Sequence, residues 1–156
     1  LISVFLGLAT NSLLFWIMYN QRGFIYHSYA PHFARSVVSM PKDVGFTAPF
    51  RELRIKCEDG VTLHGFLFLA SPEPAESRKR PTIFWFQGTA GNIGHRLKEA
   101  MGLYKTCRCN IFLVNFRGYG LSNGEPSYRG IQLDTQTAFD YLRGDLRDVV
   151  DPSKVI

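Results

Sequence analysis

Cysteine is scarce in this chain, and Cys57, Cys107 and Cys109 are the whole complement. An odd count of three offers no disulfide framework, and Cys107-x-Cys109 lacks the second ligand pair that a zinc site needs. The glycines never fall as Gly-x-Gly-x-x-Gly, and no glycine-rich stretch ends in Gly-Lys-Ser/Thr. Those absences exclude the dinucleotide fingerprint and the phosphate-binding P-loop. There is no internal repeat and no low-complexity segment. Basic residues outnumber acidic ones by 18 to 13, but they are scattered, with one small cluster at Arg78-Lys79-Arg80 in a Pro- and Ser-containing stretch. Without a basic stripe and interleaved aromatics, nucleic acid is not an expected partner. What remains is a 156-residue chain with 46% hydrophobic and 20% charged residues, the composition of one globular domain with a short appendage.

Charge is missing altogether from Leu1 to Tyr19 (LISVFLGLATNSLLFWIMY), and Arg22 is the first charged residue. As a helix those nineteen residues span about 28 Å, close to the hydrocarbon thickness of a bilayer. Trp16 and Tyr19 fall near the end, where amphipathic rings favour the membrane interface. Thr10-Asn11-Ser12 at the centre is costly in lipid unless paired. The segment predicts a single-pass membrane anchor over 1–20, with a cleaved signal peptide and a buried core helix as the rivals. Residues 21–50, aromatic and interrupted by Pro31, Pro41 and Pro49, read as a juxtamembrane connector that packs against the domain that follows.

From residue 51 the pattern changes. Leu53, Ile55 and Cys57 alternate with Arg54 and Lys56, as in a strand with one wet face. Glu58-Asp59-Gly60 supplies a tight turn, and Val61 to Leu69 returns as the second strand of a hairpin. Ser71 to Arg80 reads as a polar loop. Two apolar runs, Thr82 to Phe86 and Ile111 to Phe116, suit strands buried on both faces of a parallel sheet. Between them Ile93, Leu97, Met101 and Tyr104 recur at helical spacing, and a further helix carries Ile131, Ala138 and Leu142. Lys154-Val155-Ile156 begins a third parallel strand. The order predicts an α/β doubly wound sheet entered through an antiparallel hairpin.

Two glycine-rich turns follow the buried strands. Gln87-Gly88-Thr89-Ala90-Gly91-Asn92 lets backbone amides approach a ligand, and such a turn can hold a phosphate or stabilise an oxyanion. Arg117 to Ser127 contains Gly120-Leu121-Ser122-Asn123-Gly124, a literal match to a nucleophile elbow. An elbow serine follows its strand directly and opens a helix, whereas Ser122 lies six residues past Phe116 and is followed by Asn-Gly-Glu-Pro. The context makes it a loop serine. Of the four histidines, His27, His32, His64 and His95, His64 falls in the hairpin strand and His95 on the crossover helix, and neither of these two has an Asp or Glu placed by spacing to orient it.

The stretch PTIFWFQGTAGNIGHR from Pro81 to Arg96, then NIFLVNFRGYGLSNGEPS and GIQLDTQTAFDYL, resembles the membrane-anchored serine hydrolases of the α/β-hydrolase domain-containing protein 13 family. The resemblance covers about residues 50 to 156 and rests on the pieces occurring in order. It implies an α/β-hydrolase fold, of which 51–156 is the N-terminal portion, and no metal or organic cofactor. It implies an oxyanion hole whose backbone amides map to Thr89 and Ala90, and a Ser-His-Asp triad lying beyond Ile156. The 156 residues alone are then expected to be inactive and poorly stable, with an unpaired edge strand. Gln87 replaces the His of the family's His-Gly pair and Thr89 its Asn. Tyr128 stands where the family carries Glu. The implied activity is hydrolysis of an ester or thioester, on a lipid or acyl-protein such as a palmitoyl-protein, at a lipid bilayer. The alternatives are a non-catalytic membrane-tethered module and a phosphate-binding turn.

Overall fold

A computed structural model describes the chain from residue 2 to 156, with side chains from residue 6 onward. Leu1, the first residue of the expected anchor, lies outside the described residues. Helix α1, Ile2–Ile25, runs six residues beyond the last residue of the uncharged stretch. Its central polar groups turn back on the helix, with Thr10 Oγ1 donating to the Leu6 carbonyl at 2.8 Å and Asn11 Nδ2 to the Gly7 carbonyl at 2.8 Å. Polar groups at Thr10, Asn11, Ser12 and Asn20 dilute its hydropathy. Among the described residues no helix is long and apolar enough to cross a membrane, so the transmembrane reading of 1–20 finds a helix there but not the hydropathy of a span.

The globular part is a four-stranded mixed sheet in the order β1-β2-β4-β3. Strands β1 (Phe50–Lys56) and β2 (Thr62–Phe68) form the expected antiparallel hairpin, with Arg54 opposite His64. Strand β2 is antiparallel to β4 (Asn110–Asn115), and β4 is parallel to β3 (Thr82–Phe86). Val155 bridges Thr82 in parallel, and the amide of Phe84 donates to the Ile156 carbonyl at 2.9 Å, so the chain's last residues start along the free edge of β3. The stretch read as a polar loop contains a short helix, α2 (Pro74–Arg78), opened by Pro74 in its first turn. Proline is tolerated there because the first helical amides have no intrahelical partner.

Period-two alternation divides the strands between two cores. Leu63 and Leu67 of β2 and Phe112 and Val114 of β4 face Ala138 and Leu142 of α4 (Tyr128–Gly144), with Val149 and Val150 beyond it. Phe66, Phe68, Ile111 and Leu113 face the other way, against Ile93, Leu97 and Ala100. The last two belong to α3 (Leu97–Cys107), and Ile93 opens the 3-10 turn Ile93–Arg96 ahead of it. Helices therefore cover both faces, which is why β2 is buried from Leu63 to Phe68 and β4 along its whole length. Both glycine-rich turns emerge at the C-terminal ends of the parallel strands, where open α/β sheets place their ligands.

Candidate functional site

The turn after β3 is held from three directions. Asn92 caps the helical turn behind it, its Oδ1 accepting from the Gly94 amide at 2.9 Å. Its Nδ2 donates to the Ala34 and Val37 carbonyls at 2.7 and 2.8 Å, which ties residues 34–37 of the connector to the turn. From beneath, Asn115 at the end of β4 accepts the Ile93 amide on Oδ1 at 2.9 Å. The connector also pairs with the turn directly: the His27 amide donates to the Thr89 carbonyl at 2.9 Å, and the Gly91 amide to the Ala30 carbonyl at 2.7 Å.

Tyr119 completes the clamp. Its ring is 1% exposed, its hydroxyl donates to the Thr89 carbonyl at 2.9 Å, and burial, with Tyr26 nearby, pushes its pKa up to about 12. Two donors thus fix the direction of one carbonyl. Across a planar trans peptide the following N–H points the opposite way, so the Ala90 amide is aimed away from Tyr119 and His27. Among the described residues, the Thr89 and Ala90 amides donate to no protein acceptor. These are the two positions to which the family resemblance assigns the oxyanion donors. That the connector packs on the domain was expected; that it docks on this turn, and that Tyr119 does too, was not legible from spacing.

Gln87, the residue preceding this turn's first glycine, is 8% exposed, and both polar atoms of its carboxamide are buried without a hydrogen-bond partner. An unsatisfied buried amide costs about 1–3 kcal/mol, so this position carries strain that the rest of the sheet does not. The Thr89 side chain is exposed.

The turn after β4 is satisfied internally. The Arg117 amide donates to Asp134 Oδ2 at 2.7 Å, its Nε to Asp134 Oδ1 at 2.9 Å and its Nη1 to Asp59 Oδ2 at 2.7 Å. Nη2 also lies 2.7 Å from Asp134 Oδ1 as an ion-pair contact, although its hydrogens are not aimed at that oxygen. Burial alone would pull the Arg117 pKa down, but the hydrogen bonds to Asp134 and Asp59 outweigh it and hold the guanidinium charged. Gly118 has a φ of +77°, and a Cβ there would strike Pro126, so the sharp turn admits no side chain.

Ser122 belongs to this framework. It is 3% exposed, its Oγ donates to the Asn115 carbonyl at 2.7 Å and accepts the His64 amide at 2.9 Å. The His64 ring is engaged elsewhere. Nε2 lies 2.9 Å from Glu52 Oε1, and Nδ1 accepts from Asn115 Nδ2 at 3.2 Å. A carboxylate therefore does orient this histidine, contrary to expectation. Glu52 reaches it diagonally across the hairpin, two residues from the partner Arg54, a relation that distance along the chain conceals. Burial, then the charge of Arg54, lowers the His64 pKa against the opposing pull of Glu52. His27, His32 and His95 are exposed.

A sheet in this order, entered by a hairpin, covered by helices on both faces and carrying a strand-to-helix turn with free amides, makes the chain an α/β-hydrolase-fold protein. Among curated proteins it is 37% identical over 137 residues to protein bem46 of Schizosaccharomyces pombe, covering 87% of this chain and 44% of that one. It is 34% identical over 136 residues to the α/β hydrolase domain-containing protein WAV2 of Arabidopsis thaliana (87% and 42%). It is 28% identical over 146 residues to the uncharacterized membrane protein YNL320W of Saccharomyces cerevisiae (91% and 48%). Among solved structures, an α/β hydrolase from Vibrio vulnificus superposes with a TM-score of 0.62 at 22% identity, covering 91% of this chain and 46% of that one. An esterase from Pyrococcus furiosus, Pf2001, gives 0.57 at 20% (74% and 42%). No family model matches the chain. The chain spans less than half the length of these curated relatives.

Proposed function

We propose that this chain is the N-terminal portion of a serine hydrolase that cleaves an ester or thioester, with the Thr89 and Ala90 amides receiving the oxyanion. The observation that carries the reading is the Thr89 carbonyl, fixed by Tyr119 and His27 so that the next amide is aimed outward and left unpaired. Donors held in place before reaction cost no reorganisation when charge develops, and this is the largest electrostatic contribution to acyl transfer. The esterase among the solved structures supports the reaction class. The nucleophile, its base and its carboxylate come from residues outside these 156, since Ser122 is buried and its hydroxyl already serves two backbone groups. No cofactor enters the mechanism.

Helix α1 supports attachment to a membrane. Leu6, Leu8, Leu14 and Trp16 are all more than half exposed and, at about 100° per residue, lie on different sides of the helix. A helix apolar all round belongs in a protein core or in lipid. The membrane protein of yeast among the relatives agrees with that placement. An anchored enzyme meets acyl lipids and acyl-proteins at the same surface, which is the substrate class proposed here.

The test is activity-based labelling of the full-length protein with a fluorophosphonate, together with hydrolysis of p-nitrophenyl esters of increasing chain length. Labelling and turnover that survive Ser122→Ala are expected. A second reading, a non-catalytic tethered module, is favoured by the unpartnered Gln87 carboxamide at the position of the family histidine. Neither labelling nor turnover across the panel would decide for that module.

A further inference from the structure

A cleft of about 340 Å³ lies between the end of α1 and the start of α4, lined by Arg22, Ile25 and Tyr26 on one side and Ser127, Tyr128 and Arg129 on the other. It adjoins a second cleft of about 330 Å³ that shares Tyr26 and Tyr128 and runs along α4 past Ile131 and Thr135. Neither is lined by a carboxylate. Two guanidinium groups thus share one small cavity with three hydroxyl-bearing residues. Arg51 and Arg117, by contrast, are each 2.7 Å from an aspartate. Among the described residues, Arg22 and Arg129 take part in no ion pair.

Like charges lining one cavity repel unless an anion sits between them. Arginine forks match phosphate oxygens in a bidentate way, and the hydroxyls of Tyr26, Ser127 and Tyr128 can donate to the remaining ones. The depth along α1 identifies the source of that phosphate. Arg22 follows the uncharged stretch by three residues, an axial rise of about 4.5 Å from Tyr19, with Trp16 one turn further back. In a helix buried in lipid, interfacial aromatics mark the headgroup level, and the cleft opens there.

We propose that this cleft binds the phosphate headgroup of an anionic phospholipid at the membrane surface, with Arg22 and Arg129 as its counter-charges. The proposal rests on the reading that α1 is seated in lipid. It places the bound headgroup one residue from His27, whose amide holds the Thr89 carbonyl.

Vesicle flotation of the protein with α1 intact tests it, with phosphatidylcholine alone against equal parts phosphatidylcholine and phosphatidylserine. Binding to both is expected, tighter to the anionic vesicles by roughly thirtyfold if each arginine contributes about a fivefold factor. The pair Arg22→Gln and Arg129→Gln should erase that difference and leave binding to phosphatidylcholine intact, with circular dichroism unchanged. Removing the same charge at the exposed Arg80 and Lys98 should leave the difference in place. A difference that survives in the cleft variant overturns the proposal, as does one lost equally in the control variant. Inorganic phosphate that saturates the protein and removes the anionic preference at millimolar concentration also overturns it, in favour of a free-anion site. Failure of the anchor is read separately, as lack of binding to phosphatidylcholine alone.

Discussion

The turns after β3 and β4 leave the same edge of the same sheet, both rich in glycine and both leading into helices, yet they treat their polar groups in opposite ways. After β4, Arg117, Ser122 and Asn115 are engaged by Asp134, Asp59, His64 and the backbone. After β3, two amides are unengaged and the Gln87 carboxamide is buried without a partner. A loop whose main polar groups are matched within the fold builds it and is chemically inert; Arg117 Nη2, which makes no hydrogen bond, still sits 2.7 Å from Asp134 Oδ1. A loop that is rigidly clamped but left unsatisfied is prepared for a partner outside itself. The turn after β4 also supplies the clamp of the turn after β3, through Tyr119 and Asn115.

Breaking the self-satisfied turn should have the largest effect. Asp134→Ala leaves Arg117 buried without its main counter-charge, and loss of one partner of a buried pair costs about 3–5 kcal/mol. Urea denaturation should show the midpoint collapse or the chain unfolded in buffer. Next comes Ser122→Ala, which orphans the His64 amide and the Asn115 carbonyl at a cost of about 1–3 kcal/mol. Stability should fall while hydrolysis by the full-length protein persists. Activity lost with stability retained would make Ser122 the nucleophile after all.

The turn after β3 should respond with the opposite sign. Gln87→Leu removes an unsatisfied carboxamide of similar volume, so a gain of about 1 kcal/mol in this chain is expected. A loss of that size would mean the carboxamide has a partner in solution and the contrast between the turns is weaker than drawn. The smallest effect concerns pH. His64 has a pKa below its ordinary 6.5, so the unfolded chain binds more protons than the folded one in the interval between the two values. Stability should be flat above about 6.5 and decline as the pH falls below it. Substitution His64→Gln should flatten that decline in a urea series run across pH, whereas an unchanged slope would place the acid sensitivity elsewhere.

Much of this was written in the order of residues. The hairpin follows from alternation at Leu53, Ile55 and Cys57. The buried strands follow from unbroken apolar runs, and β3 matches its run residue for residue, Thr82 to Phe86. The helix carrying Leu97 follows from its spacing. The glycine-rich turn between a strand and a helix was legible from its residues, but Thr89 and Ala90 were singled out within it only by the family resemblance. The displaced position of Ser122 relative to its strand was also plain. Helix α2 was missed because its few polar residues carry no periodic apolar signal, and the helix forms around Pro74 at its start.

Local pattern determined the elements because propensity and periodicity act over a few residues, which is all that a strand or a helical turn needs. Composition likewise determined that the first segment is helical and uncharged to Tyr19. Only the tertiary structure decided which polar groups are matched. Glu52 meets His64 through strand register, Tyr119 meets Thr89 across thirty positions of sequence, and residues 27–37 are drawn onto the turn by hydrogen bonds that no spacing reveals. A hydrogen bond depends on direction and on exclusion of water, and both are properties of the packed chain.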